Sequence, residues 1–157
     1  MTSSAAAATA ASEQPLPGNR MVVAVLSLLG VFVALYLLAY SIGLIPLICG
    51  VGSCETVQAS QWARVGKVPV PLIGVVGYGS LLALATMGIQ PSWRDSRAIG
   101  LLMLGLATVG VAYAAFLTYL EAAVINAWCV WCVTSAVLMT LIFLASLPEI
   151  GRAIQKQ

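Results

Sequence analysis

Histidine is absent from this chain. A haem held by histidine is therefore excluded, and so is a histidine general base. Charge is scarce too: 8% of residues are Asp, Glu, Lys or Arg, against about 25% in an average soluble domain. The net charge of +2 is small and scattered, which argues against a nucleic-acid partner, because phosphate binding needs clustered basic side chains. The apolar runs hold no ionisable side chain in their interiors, and Glu121, near the end of one, is the closest. An ion pathway through such runs lacks carriers. What remains is apolar: 61% of the 157 residues are hydrophobic. That length holds about four membrane spans of ~20 residues with short connections, and no sizeable soluble domain beside them.

The expected fold is therefore all-α, a polytopic membrane protein built as a four-transmembrane-helix bundle. The spans are expected from Met21 to Ile45, from Val70 to Ile89, from Ala98 to Leu120 and from Asn126 to Leu147, with Pro46, Pro91 and Pro148 beyond three of them. Gly74, Gly77, Gly100, Gly105 and Gly110 suit close helix packing in lipid. Residues 1–19, rich in Ala, Ser and Thr, lack the basic start and long aliphatic core of a signal peptide. They read as a disordered cytoplasmic tail, residues 20–148 as the membrane domain and residues 149–157 as a second cytoplasmic tail.

Orientation follows from the basic residues. Arg20, Arg94, Arg97, Arg152 and Lys156 fall on one side of a four-span arrangement, and Arg64 and Lys67 on the other. The positive-inside rule places both termini in the cytoplasm. The expected location is the inner (plasma) membrane, multi-pass, with the functional side extracytoplasmic.

Four cysteines lie at the edges of the apolar runs, all on that outer side. Cys49 and Cys54 occupy the long first connection, and Cys129-Val130-Trp131-Cys132 begins the fourth span. An oxidising compartment lets disulfides persist. Asn126 is a candidate N-cap, which would put Cys129 in the first helical turn, where the helix dipole favours a thiolate. Cys132 then lies one turn deeper on the same face. There it can reach a lipid-soluble electron acceptor, and a membrane quinone fits that need. Glu55 to Val65 reads as a short amphipathic helix in the first outer loop, with Val57, Trp62 and Val65 on its apolar side, capping the bundle. Trp128, Trp131, Tyr36, Tyr40, Tyr113 and Tyr119 read as interfacial anchors.

Plainer readings stand beside these. Two cysteine pairs can build a four-thiolate zinc site, although zinc needs reduced thiolates where disulfides form. The Cys49–Cys54 pair can act as a staple for its loop. The chain can also be a non-enzymatic membrane protein, such as a transporter subunit or assembly factor, whose cysteines are structural.

The ordered set of Cys49, Cys54, Ser60, Gly66-Lys67-Val68-Pro69, Gly74, Tyr78 and Cys129-Val130-Trp131-Cys132 resembles the vitamin K epoxide reductase family in its bacterial form. The resemblance runs from about Met21 to Leu147. Another group of quinone-linked disulfide-generating membrane proteins also has four spans and two cysteine pairs, but its C-x-x-C comes in the first outer loop. The resemblance implies a four-helix bundle around a quinone (menaquinone, ubiquinone or phylloquinone). The redox pair would be Cys129 and Cys132, the shuttle pair Cys49 and Cys54, and Ser60 and Cys132 would lie against the quinone. It implies a thiol:quinone oxidoreductase that takes electrons from a thioredoxin-fold partner and supports disulfide formation. With the chain ending at Gln157, that partner is expected to be a separate protein. The implied order is a mixed disulfide at Cys49, transfer from Cys54 to Cys129, and delivery from Cys132; the roles of Cys49 and Cys54 can be exchanged. Animal members carry a Thr-Tyr pair after the C-x-x-C, whereas this chain reads Val133-Thr134-Ser135-Ala136. Reduction of vitamin K epoxide with small thiols is the alternative activity.

Overall fold

The computed structural model describes residues 18–93 and 96–149. Most of the two expected tails, residues 1–17 and 150–157, and Arg94 with its neighbour, lie outside the described residues. Helix α1 spans Gly18–Ser41 and the short α2 spans Cys54–Ala59. A two-stranded antiparallel hairpin follows, β1 at Arg64–Val65 and β2 at Val68–Pro69. Helix α3 spans Val70–Ile89, α4 spans Arg97–Tyr119, and α5 spans Val130–Ser146. A π-helical segment, Leu120–Ile125, prolongs α4.

Three of these helices are long and apolar enough to cross a membrane: Gly18–Ser41, Val70–Ile89 and the continuous Arg97–Ile125. The 17-residue α5 is also apolar and completes the bundle. Helix α1 packs on α3 and α5, and α4 closes the ring against α5 and α3. The inner seam is narrow, with Val23, Leu81, Ala85, Met103, Ala107 and Ile142 buried together. Large apolar side chains such as Phe32, Leu102 and Val137 face outward. That arrangement suits lipid, which removes any advantage in hiding them, and leaves close packing to small residues. Gly30 shows the point: a Cβ there would overlap the ring of the buried Tyr78. Tyr78 spans the seam and donates from its hydroxyl to the carbonyl of Ser135 at 2.7 Å.

The second span agrees with the sequence reading; three other boundaries do not. Helix α1 ends at Ser41, and Gly43 takes a positive φ of 78° soon after. The fourth helix begins at Val130 rather than near Asn126. Asn126 adopts a left-handed conformation (φ 52°, ψ 36°) and closes the π-helical segment instead of capping α5. Asparagine tolerates that conformation better than most residues. The amphipathic helix expected over Glu55 to Val65 is shorter, because the backbone becomes extended at Ser60 (ψ 155°). Gln61–Ala63 forms one 3₁₀ turn, and Val65 belongs to the hairpin, 56% exposed. Gly66, with φ 64°, supplies the positive φ that a two-residue hairpin turn requires.

At the end of the bundle away from the cysteines, Arg20 binds Glu149 through Nε and Nη2, at 3.1 and 2.9 Å, and donates through Nη1 to the Gly88 carbonyl at 2.7 Å. Residue 149 is thus part of the bundle rather than of a tail. Both side chains are only 4% exposed. Removing one partner of a buried ion pair strands the other charge, at a cost of about 3–5 kcal/mol. Glu149→Ala is expected to lose about that much stability. Denaturant unfolding in micelles checks it, and a loss below about 1 kcal/mol would show that the pair is idle.

Candidate redox site

Cys49 and Cys54 form a disulfide, with Cα atoms 6.0 Å apart. Cys54 opens α2 and is 0% exposed, while Cys49 is half-buried at the rim. The loop carrying them is clamped to the start of α5. Gly52 forms an antiparallel bridge with Cys129, and the Ser53 N–H donates to the Trp128 carbonyl at 2.8 Å. Trp131 Nε1–H donates to the Ile48 carbonyl at 3.0 Å, and the Ile48 N–H donates to the Tyr36 hydroxyl at 2.8 Å. The Tyr36 and Trp131 rings meet at 4.8 Å between centroids. Tyr36 and Trp131, read from sequence as interfacial anchors, therefore hold the loop down. Trp128 and Tyr119 stay exposed, as anchors would.

Gly52 makes the close approach possible. Its φ is 96°, and a Cβ would collide with the Trp128 carbonyl oxygen. Gly52→Ala is expected to lift the loop off Cys129 without disturbing the spans. The check is oxidative cross-linking of Cys54 to Cys129 in a Cys49→Ser, Cys132→Ser background. Alanine at 52 should slow that cross-link about tenfold, the equivalent of roughly 1.4 kcal/mol; an unchanged rate would show that the clamp is unnecessary.

Cys129 itself is the N-cap of α5, not a first-turn residue, and its Sγ accepts the Cys132 N–H at 3.4 Å. The Cys129 backbone N–H donates to Glu121 Oε2 at 3.1 Å. The Cys129 thiol is held below the ordinary thiol range, chiefly by the hydrogen bond from the Cys132 side chain; burial and the Glu121 charge work against this. Cys129 is 0% exposed and packs in one apolar cluster with Cys54, Val57 and Leu37. The two cysteine pairs thus meet through Cys54 and Cys129. The loop sulfurs are bonded to each other.

Below this junction lies a partly open cavity of about 340 Å³, bounded by α1, α3, α4 and α5 under the roof made by α2 and the 3₁₀ turn. Its walls are almost wholly apolar, and Cys132 faces it while Cys129 does not line it. Ser60 and Trp62 sit in the roof. The Ser60 hydroxyl donates to the Val57 carbonyl at 2.7 Å, closing the last turn of α2. The size and lining suit a small apolar ligand with a few polar points of contact.

Sequence reasoning placed the four cysteines and Ser60 here, and missed Glu121, Gly52 and Tyr36 as parts of the site. Glu121 had a visible signal: it is an acidic residue at the end of an apolar run, eight positions before Cys129. Gly52 and Tyr36 had none, because their roles depend on a loop folding back across the bundle. The family model for the Vitamin K epoxide reductase family matches residues 21–147.

Proposed function

The chain belongs to the vitamin K epoxide reductase family, whose members are membrane thiol oxidoreductases, and from that premise we propose that it is a thiol:quinone oxidoreductase fed by a thioredoxin-fold donor. The observation that carries this reading is the continuous line from Cys49 at the rim, through the buried Cys54 and Cys129, to Cys132 on the cavity wall. Each step along it is a thiol–disulfide exchange. A donor dithiol attacks the loop disulfide at the accessible Cys49 and releases Cys54 as a thiolate. The donor's second thiol then resolves the mixed disulfide and leaves oxidised. Cys54 attacks Cys129 of an oxidised C-x-x-C, freeing Cys132. Cys49 then closes on Cys54, which restores the loop disulfide and leaves Cys129 and Cys132 as a dithiol. The bonding in this structure, loop oxidised and C-x-x-C reduced, is the state from which electrons leave by Cys132.

A bound quinone supplies a two-electron, two-proton acceptor. The cavity residues fit such a ring: the walls are apolar, Cys132 reaches the edge, and Ser60 and Trp62 cover the top. Ser60 would rotate its hydroxyl away from Val57 to donate to a ring carbonyl. Ala136 lines the same cavity, whose phenols are those of Tyr78 and Tyr113. The extracytoplasmic placement of the site follows from the charge bias. Arg20 and Glu149 mark the opposite, cytoplasmic end.

The test uses purified protein in micelles with a reduced thioredoxin-fold protein and a soluble quinone. Quinone absorbance should fall only when all three are present, and the donor should be recovered oxidised. No loss of quinone with either a protein donor or a small dithiol would overturn the reading.

A further inference from the structure

We propose that Glu121 is the base that takes the proton from the Cys132 thiol as the C-x-x-C is oxidised. This rests on the quinone reading of the cavity. Glu121 is only 3% exposed and sits in the π-helical segment, on the wall of the cavity that Cys132 also lines. Its Oε2 accepts the Cys129 backbone N–H at 3.1 Å, at the helix start where the Cys132 N–H meets the Cys129 sulfur. It therefore lies beside the C-x-x-C, on the cavity wall that Cys132 also lines. A π-helical widening of this kind is frequent at functional sites. Here it ends the long α4 span and carries Glu121 to the C-x-x-C.

Among the described residues this carboxyl group has no ion-pair partner within reach. The ion pair at the other end of the bundle joins Arg20 to Glu149. Among the described residues no Lys, Arg or Asp lines the cavity, and the other titratable groups facing it are Cys132 of α5, Tyr78 of α3 and Tyr113 of α4. Cys54, from α2, is held in the loop disulfide. Glu121 does not serve to favour a thiolate, since its charge pushes the neighbouring Cys129 thiol up. A buried carboxyl group anchored at the helix start and facing the same cavity as the reacting thiol is placed to accept that thiol's proton. The chain has no histidine to do so.

The step balances. One S–S bond forms between Cys129 and Cys132, and two electrons pass to the quinone. The Cys132 proton moves to the Glu121 carboxylate and on to a reduced ring oxygen, which resets the carboxylate. The second proton, given up to water when Cys129 ionises, is replaced from water at the other ring oxygen.

Glu121→Gln separates this role from support. Glutamine keeps the volume and an oxygen for the Cys129 N–H, but cannot accept a proton. Quinone reduction with a small dithiol should fall about 10²-fold or more, the usual worth of a positioned base. It should recover as pH rises and hydroxide replaces the base. N-ethylmaleimide alkylation of Cys132, measured without quinone in a Cys129→Ser background, should be unchanged or faster with glutamine at 121, because a negative charge has gone. Turnover within about threefold of wild type would overturn the proposal. So would parallel losses of turnover and alkylation, which would make Glu121 a support for the helix start. If the glutamine variant does not accumulate, the wild-type redox-difference infrared spectrum decides. A carboxyl C=O band that changes with C-x-x-C oxidation and shifts in D₂O is expected, and its absence overturns the proposal. Wild-type quinone reduction is the control: its failure would reject the quinone reading itself, whereas unchanged turnover in the variant rejects only the role of Glu121.

Discussion

Serine at Cys132 is expected to abolish quinone reduction, and serine at Cys129 to do the same, each by about 10³-fold or more, as for residues that act as a unit. A disulfide needs both sulfurs, and a hydroxyl of similar size at either position leaves the electron pair no exit. The two substitutions test the chemistry and not the fold. Cys129 is the N-cap of α5, a position where serine is among the preferred residues, so the helix start should survive. Cys132 is half-buried at the cavity edge, where the smaller oxygen creates no clash. Thermal unfolding of the variants should therefore stay close to wild type while turnover with a small dithiol disappears. Turnover retained in either variant would remove this pair from the redox role.

The sequence reading and the structure part company where one segment folds across another. Val70–Ile89 was legible to the residue, because an apolar run between prolines has one solution in lipid. The Cys49–Cys54 disulfide was legible because its two cysteines lie five residues apart at a span edge. The start of α5 was not. Asn126 looks like an N-cap by composition, but the preceding helix widens into a π turn and uses Asn126 to stop. The cap falls to Cys129, whose sulfur accepts the Cys132 N–H, a role that residue type does not advertise. The capping helix was overextended for a related reason. Trp62 and Val65 continue an apolar pattern, but the Gly66 turn and the Val65–Val68 pairing draw the chain into a hairpin. Trp62 still reaches the cavity, from a 3₁₀ turn and 40% exposed. Glu121 illustrates the remaining gap. Its position in the chain was plain, but its place beside the C-x-x-C depends on the π turn, which no periodicity announces.

The loop pair should divide the activity by the size of the donor. Cys49→Ser or Cys54→Ser is expected to reduce turnover with a thioredoxin-fold donor to background, while turnover with a small membrane-soluble dithiol stays within about threefold of wild type. The structure separates the two routes. A folded donor cannot reach Cys129, which is 0% exposed beneath the clamped loop, and must use Cys49 at the rim. A small dithiol can enter the cavity and meet Cys132 on its wall. Trapping then orders the loop cysteines. In Cys54→Ser, Cys49 has no partner in the loop and should hold an oxidised donor as a mixed disulfide, visible on a non-reducing gel. In Cys49→Ser, Cys54 is buried against Val57 and Leu37 and should hold none; its partner there should be Cys129. An adduct through Cys54 alone would exchange the two roles and leave the function in place. No adduct in either variant, with brisk turnover of vitamin K epoxide by a small dithiol, would show that the chain works on epoxide and that its loop pair is a clasp over the cavity.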